Sequence, residues 1–417
     1  MKARLSIPAK TNTVANIVAE ALLNVAPFVW LYLLNRYQGS ESVAEFAVLG
    51  SLYAFGRSFI EFGMNNEAIA ELAAGNRNAI VEITVLRLCL AAMLFVAYGV
   101  YSLFFNGTTN LLISLLPLIA VPFCVDWVFK AQQKSYVNVV AAGGGFALSF
   151  IPIIFLGVGV LQVLIAKLVW MSVYALALCV LLLRDEDLKN NLIFFFSIRK
   201  IISVVASKVK SCWSYALSSF VITGSQNLPI LLVALWMGSS DAGYFSFFIK
   251  LYGVFLVFKY VMMVSFLPRL TRLFKERKNS AIAELVRNTV LGFLILFLLL
   301  TFIYYFRFRV FTLLGFNAVQ INYLTQFTSV LMLAAMVSWC YTYLPSLLIL
   351  QRRRISFLLT VSIGLFVSAG ALLLFNFIDT LTLLNSAFAI LFSEMAILVC
   401  LLCLLRQELL RWKHAHV

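Results

Sequence analysis

Long uninterrupted apolar runs decide what this chain can become. Twelve stretches each hold about 20 predominantly apolar residues, the length a helix needs to cross a hydrocarbon core of about 30 Å. Backbone groups in lipid must be satisfied within their own segment, so these runs read as α-helices. In the first half they cover Val14 to Leu34, Val43 to Asn65, Ile83 to Phe105, Leu111 to Phe129, Val137 to Gly157 and Val160 to Leu183. In the second half they cover Cys212 to Met237, Gly243 to Leu267, Val290 to Phe306, Tyr323 to Leu350, Ile355 to Phe375 and Leu381 to Leu405. Asn106-Gly107, Gly157-Val158-Gly159 and Gly238-Ser239-Ser240 punctuate them as turns. Apolar residues fill 63% of the 417 positions and charged residues only 12%, more apolar surface than a soluble fold hides. The expected fold is all-α: a polytopic membrane protein of about twelve transmembrane helices.

A formal charge of +15 raises the question of nucleic acid, and the placement of the charge answers it. With the N-terminus cytoplasmic, twenty-four of the 32 Lys and Arg fall on the cytoplasmic side and three (Arg36, Arg307, Arg309) on the other. That asymmetry is the positive-inside signature, so both termini are expected in the cytoplasm and no nucleic-acid partner is implied. Lys2, Arg4 and Lys10 precede a first run long enough to span, and no small-residue cleavage pattern follows it, so it reads as the first membrane helix. Trp30, Trp127, Trp213, Trp236 and Trp412 fall near span ends, where an aromatic belt would sit. The seven cysteines lie in apolar runs or at their ends and read as small hydrophobes, with neither disulfide, metal nor cofactor implied.

Outer connections are short, the longest lying around Arg307 to Asn322, so whatever the protein does is expected within the bilayer. The longest inner link, Arg184 to Ser211, gathers Ile198, Ile201, Ile202, Val205 and Val209 on one helical face, with Arg199, Lys200, Lys208 and Lys210 around it. This pattern suits an amphipathic helix on an anionic inner leaflet, with membrane lipids as partners.

The chain also repeats itself. Gly39-Ser-Glu-Ser-Val-Ala-Glu-Phe46 and Gly238-Ser-Ser-Asp-Ala-Gly-Tyr-Phe245 align at a constant offset close to half the chain, each in the first outer turn of a six-helix half. An even number of helices per half makes the repeat parallel. Residues 1–183 and 212–417 are thus expected as two six-helix lobes around a central cavity, joined by a cytoplasmic linker over 184–211. The first helix carries Asn16, Glu20 and Asn24 at four-residue spacing, and the seventh carries Ser219, Thr223 and Asn227 likewise, each set forming one polar stripe. Pro27 and Pro229 follow, where a helix can break and lend backbone groups to a cavity. Such stripes either glue helices together or line the cavity; Glu20 favours lining, because an intramembrane carboxylate costs a few kcal/mol (about 2.5 to 3.5).

Charges inside the spans need a partner, water or a purpose. Arg57 and Glu61, four residues apart with Asn65 four further, share a helix face and can pair. Lys250 and Lys259 fall on opposite faces of the eighth helix; Lys259 is near enough to the inner end to snorkel, which leaves Lys250, beside Ser246 and Gly253, as a cavity cation. Lys167 either snorkels outward or joins Arg57 and Lys250 as a third cavity cation. Glu394 in the last helix has no evident local partner and, with Glu20 and Glu61, is a candidate coupling carboxylate. Cations beside hydrogen-bonding stripes suit an anionic, polyhydroxylated cargo. There is no G-x-x-x-x-G-K-[ST], H-E-x-x-H or G-x-S-x-G sequence, and no outer loop is large enough to shelter a catalytic dyad, so an enzyme is disfavoured.

Three stretches carry a family likeness: Asp126-Trp127 followed by Lys134; Gly238 to Lys250, with Gly243-Tyr244 and Lys250; and Leu267-Pro268-Arg269-Leu270-Thr271-Arg272-Leu273. In these, and in size and helix count, the chain resembles the Wzx-type polysaccharide repeat-unit (O-antigen) flippases of the multidrug/oligosaccharidyl-lipid/polysaccharide exporter superfamily. The resemblance implies a bacterial inner membrane, alternating access between two lobes, and a substrate of undecaprenyl-diphosphate bearing one oligosaccharide unit. It implies a cavity bordered by helices one, two, seven and eight, and a polysaccharide polymerase and chain-length regulator as companions. One departure stands out. Relatives often carry an acidic residue late in helix seven where this chain has Pro229, so ion coupling would fall to Glu20, Glu61 or Glu394. Two other functions compete with this one: a small-molecule cation exporter of the same superfamily, and a membrane polymerase or ligase of such sugars.

Overall fold

The computed structural model describes residues 9–73, 76–104, 109–132, 134–183, 198–238, 240–253, 256, 259, 280–313, 316, 318–342 and 354–414. Among them no strand occurs, and nine helices are long and apolar enough to cross a membrane. The chain is an all-helical polytopic membrane protein. In order, the first half runs α1 (Ala9–Tyr37), α2 (Ser40–Glu61), α3 (Asn65–Ala73), α4 (Asn78–Phe104), α5 (Thr109–Leu115), a 3-10 helix (Leu116–Phe123), α6 (Asp126–Ala131), α7 (Tyr136–Leu156) and α8 (Val160–Leu183). The second half runs α9 (Ile198–Trp236), α10 (240–253), α11 (Ser280–Tyr305), α12 (Arg307–Leu313), α13 (Ala318–Cys340), α14 (Arg354–Phe377) and α15 (Leu383–His414).

The expected runs and these helices coincide closely, with instructive exceptions. The fourth run is not one α-helix: α5 gives way to the 3-10 helix and then to α6, with Pro117 and Pro122 in the middle segment. Each proline removes a backbone donor and clashes with the preceding turn, and 3-10 geometry is the local accommodation. Pro27 and Pro229, in contrast, lie inside unbroken helices, so neither opens the break expected of it. The second run ends at Glu61, because Phe62 (φ 49) and Gly63 (φ 64) adopt left-handed backbone that an α-helix cannot continue. At the end of α7 a glycine does the same work: Gly157 (φ 84) stops the helix while its N–H bonds the Ile153 carbonyl at 3.0 Å.

α9 has 39 residues, about 58 Å at about 1.5 Å per residue, against a hydrocarbon core of about 30 Å. Residues 198–210 of the expected inner amphipathic link are thus continuous with the helix of the seventh span, lengthening it beyond what the core requires, rather than a separate helix. Residues 184–197 of that link, the Asn106-Gly107 turn, the Leu267–Leu273 motif, the eighth run beyond 259 and residues 343–350 of the tenth run lie outside the described residues.

Two compact units divide the chain: Met1–Gln38 with Glu45–Thr223, and Gly39–Ala44 with Gly224–Val417. In the first, α1 packs on α7, α7 on α8, α3 on α6, and the 3-10 helix on α4 and α8. Trp30 and Trp170 meet edge to face at 5.3 Å, and Tyr53, Ile60, Ala91, Leu118 and Val121 form a buried cluster. Trp30 and Trp127 are at most 1% exposed, so they pack the interior rather than joining an aromatic belt; Trp213, 56% exposed, fits the belt reading. In the second unit α11 and α15 pack on α13, and α14 on α15. Phe245, Phe247, Phe248, Phe311, Phe316 and Phe327 interlock with ring centroids 5.5 to 6.2 Å apart. Each such pair contributes about 0.5 to 1.5 kcal/mol beyond the area it buries. This rigid aromatic block is where α10 is anchored, and with it Lys250.

Candidate functional site

Polar chemistry inside each unit is organised as a network, and the networks are best built from their charges. In the first unit Arg57 Nε donates to Glu61 Oε1 at 2.7 Å, the i,i+4 pair read from the sequence. The Asn65 amide reaches Glu61 Oε2 at the long distance of 3.5 Å, even though the turn at 62–64 puts it on α3. Arg87 of α4, 1% exposed, ties this corner together: its guanidinium donates to Asn65 Oδ1 and, at 3.2 Å, to the Cys124 carbonyl. The 3-10 segment exposes that carbonyl by ending there, so Arg87 satisfies a backbone group that the broken fourth span leaves over. Sequence reasoning passed over Arg87; its only signal was a lone arginine within a run otherwise fit to span.

Lys167 of α8 is 7% exposed and its ammonium stands 3.5 Å from the centroid of the Tyr53 ring on α2. It therefore does not snorkel outward; the ring face supplies negative potential in its place. Lys130, which directly follows the fourth run (Leu111 to Phe129), reaches Glu20 Oε1 and Asp126 Oδ2, both at 2.8 Å. Glu20 is thus paired across from α1 to α6. Ser219 of the seventh-span stripe meets Ser58 Oγ at 3.0 Å, while Phe220 packs against Phe55 and Phe59. This part of the stripe acts as the glue between helices that the sequence left as one of two options. Nearer the start of α9, Lys208 bonds both oxygens of Glu71 at 2.7 Å and lies 3.2 Å from Glu82.

In the second unit Lys250 Nζ is 3.5 Å from Asn227 Oδ1, so the expected cavity cation and the last residue of the α9 stripe do come together. Ser246, one turn before Lys250, is fully buried with no partner for its hydroxyl. Lys259 does not snorkel: its ammonium donates to Ser338 Oγ at 2.7 Å and lies 3.8 Å from the Tyr341 ring centroid. Glu394 also has partners that local sequence could not reveal. It is 9% exposed and accepts from Tyr252 at 2.6 Å and from Tyr341. Lys250 and Lys259 thus point to different partners, as their opposite faces require.

Of the remaining residues named from the sequence, the Asn16 Oδ1 atom is buried without a hydrogen-bond partner. Thr223 lies at the end of the first unit's share of α9, and the Asn24 side chain lies outside what the structure describes. Among the described residues these networks hold seven cations (Arg57, Arg87, Lys130, Lys167, Lys208, Lys250, Lys259) and six carboxylates (Glu20, Glu61, Glu71, Glu82, Asp126, Glu394), and every one of those carboxylates is engaged by a cation or a tyrosine.

No protein-family model matches the sequence, and no curated protein matches it. Solved structures do. The chain is similar to a multidrug resistance MATE family transporter of the MOP superfamily in its inward-facing conformation, with a TM-score of 0.73 and 15% identity over 95% of this chain and 96% of that one. It is similar to the outward-facing conformation of such a transporter with a TM-score of 0.66 and 15% identity, over 97% and 96% of the two chains. A MOP superfamily transporter from Pyrococcus furiosus, whose binding pocket of reversed polarity suggests a different function, matches with a TM-score of 0.59 and 16% identity over 94% of each chain. At these identities the likeness is one of fold: the chain has the fold of the MOP-superfamily transporters.

Proposed function

We propose that this chain is a transporter that carries an undecaprenyl-diphosphate-linked oligosaccharide, of the O-antigen type, from the cytoplasmic to the periplasmic leaflet of a bacterial inner membrane by alternating access. The observation that carries the reading is that Glu20, Glu61, Asp126 and Glu394 each accept from a cation or a tyrosine, while the Lys250 ammonium faces the neutral Asn227 amide at 3.5 Å. A cationic drug would need an open carboxylate, whereas a diphosphate needs cationic donors, which give the stronger charge-assisted hydrogen bonds. Lys250, with the Asn227 amide beside it, meets the phosphate charge, and Arg57 is the corresponding cation of the first unit, with Lys167 behind it. Asn16, Thr223 and Asn227 offer amide and hydroxyl partners to sugar hydroxyls. The distribution of Lys and Arg supports cytoplasmic termini.

The fold itself favours a second reading, export of small molecules, because two of the similar solved structures are multidrug resistance transporters. One substitution separates the two. Lys250→Glu, at normal membrane abundance, reverses the charge that greets the phosphate, and surface polysaccharide should fall by more than tenfold. Unchanged polysaccharide would refute the flippase reading, and loss of dye efflux with polysaccharide intact would establish the second.

A further inference from the structure

The two copies of the turn motif read from the sequence match in backbone as well as in residues. Gly39 has φ 88 and Gly238 has φ 89. Before each, the preceding helix closes alike: the Gln38 N–H donates to the Leu34 carbonyl at 2.8 Å, and the Met237 N–H to the Val233 carbonyl at 2.9 Å. After each, the next helix starts alike: the Val43 N–H donates to the Gly39 carbonyl at 3.4 Å, and the Ala242 N–H to the Gly238 carbonyl at 3.1 Å. Every one of these residues recurs at the one offset that aligns Gly39 with Gly238. The two copies also touch. The Ser40 and Ser240 hydroxyls share a hydrogen bond at 3.0 Å. Gly243 lies so close to the Ser40 backbone that a Cβ there would overlap the Ser40 carbonyl oxygen and stand 2.7 Å from its carbon. This seam lies wholly inside the second compact unit, which holds residues 39–44 although the rest of α2, from Glu45, belongs to the first.

We propose that this seam between the two motif copies is a reversible gate, shut in the present structure, at the outer end of the transport path. It rests on the alternating-access reading and on the outward orientation of both turns that the Lys and Arg distribution supports, and it is independent of the cargo. Three features suit a contact that must part. It is built from two hydroxyls and a backbone carbonyl, and Ser240 is exposed, so water takes over the hydrogen bond that opening breaks. Gly243 gives the close backbone approach that small residues give membrane helices, so the surfaces separate there without disengaging an interlocked side chain. Gly39 and Gly238 flank the seam in left-handed backbone, with no atom within 4 Å of where a Cβ would stand. Each turn is thereby free to absorb the change in φ and ψ that a hinge needs.

The test uses the full chain with its seven native cysteines replaced by serine, carrying Ser40→Cys with Ser240→Cys, in liposomes holding a fluorescent lipid-linked sugar. Oxidation should consume both thiols within one chain, since the S–S length of about 2.05 Å is only about 1 Å shorter than the present oxygen separation. Transfer of the sugar should stop on oxidation and return with a reductant. Thiols that stay free overturn the proposal. So does transfer that runs equally in the oxidised and reduced chains, which would make the seam a fixed brace. Where the reduced pair moves no sugar, the gate is judged without cargo; failure of the serine-replaced parent as well counts against the flippase reading alone. Spin labels at Glu41→Cys and Leu235→Cys in that parent should report a short and a long separation. Adding Gly243→Ala should leave the long one alone, because the methyl keeps the seam from shutting. A parent with one separation overturns the gate, as does a short separation that survives Gly243→Ala.

Discussion

Gly63→Ala should be among the most damaging single-methyl additions in this chain, and the cost can be worked from geometry. Gly63 has φ +64, and a Cβ there would lie 2.3 Å from the Tyr215 carbonyl oxygen and 2.5 Å from its carbon. Left-handed backbone costs a residue with a Cβ about 1 to 2 kcal/mol. Relieving the overlap requires α9 to retreat by about 1 Å, and overpacking of this kind costs about 1 to 3 kcal/mol, for a total of about 2 to 5 kcal/mol. Gly39→Ala is the matched control: φ is +88 but nothing lies within 4 Å, so only the backbone cost applies. Cys212, 1% exposed and one turn from Tyr215, serves as the reporter once the other six cysteines are replaced by serine: a thiol-reactive dye should label it in Gly63→Ala at least about 3 °C below the temperature at which it does so in Gly39→Ala. Equal labelling temperatures for the two variants would refute the argument that the α2 turn is seated against α9.

Two further predictions rest on the networks. Lys208→Ala leaves Glu71 and Glu82 without the ammonium between them, so it should lower the Tm; Glu71→Gln in the same chain should restore much of the loss, and raising salt toward about 1 M should narrow the gap between wild type and single variant. Glu394→Ala leaves the buried hydroxyls of Tyr252 and Tyr341 without their acceptor, at about 1 to 3 kcal/mol each; a double-mutant cycle with Tyr252→Phe should show coupling of about 0.5 to 3 kcal/mol in thermal unfolding, and additive losses would contradict the contact.

What the sequence disclosed follows from the range over which each signal acts. The span over Val160–Leu183 was readable to the residue because lipid solvation acts on every side chain of a run at once. Arg57 with Glu61 was equally open, since helical spacing fixes a contact four residues away. The break at Pro117 and Pro122 was written in the chain but hidden from hydrophobic patterning, which does not register a missing backbone donor. Lys130 looked like a loop charge because its location near a span end says nothing about the direction of its stem. Glu394 seemed partnerless since its tyrosines lie 142 and 53 positions away, and Arg87 seemed incidental because its acceptors, Asn65 and the Cys124 carbonyl, belong to other segments.

Direct translocation is the sharpest measurement of the account as a whole. The chain is reconstituted alone into liposomes carrying a short fluorescent sugar on undecaprenyl diphosphate, and a membrane-impermeant glycosidase reports how much sugar reaches the opposite leaflet. The account predicts transfer by the wild type and its loss in Lys250→Glu. Vesicles that expel a cationic dye yet leave the lipid-linked sugar on its original side would contradict it.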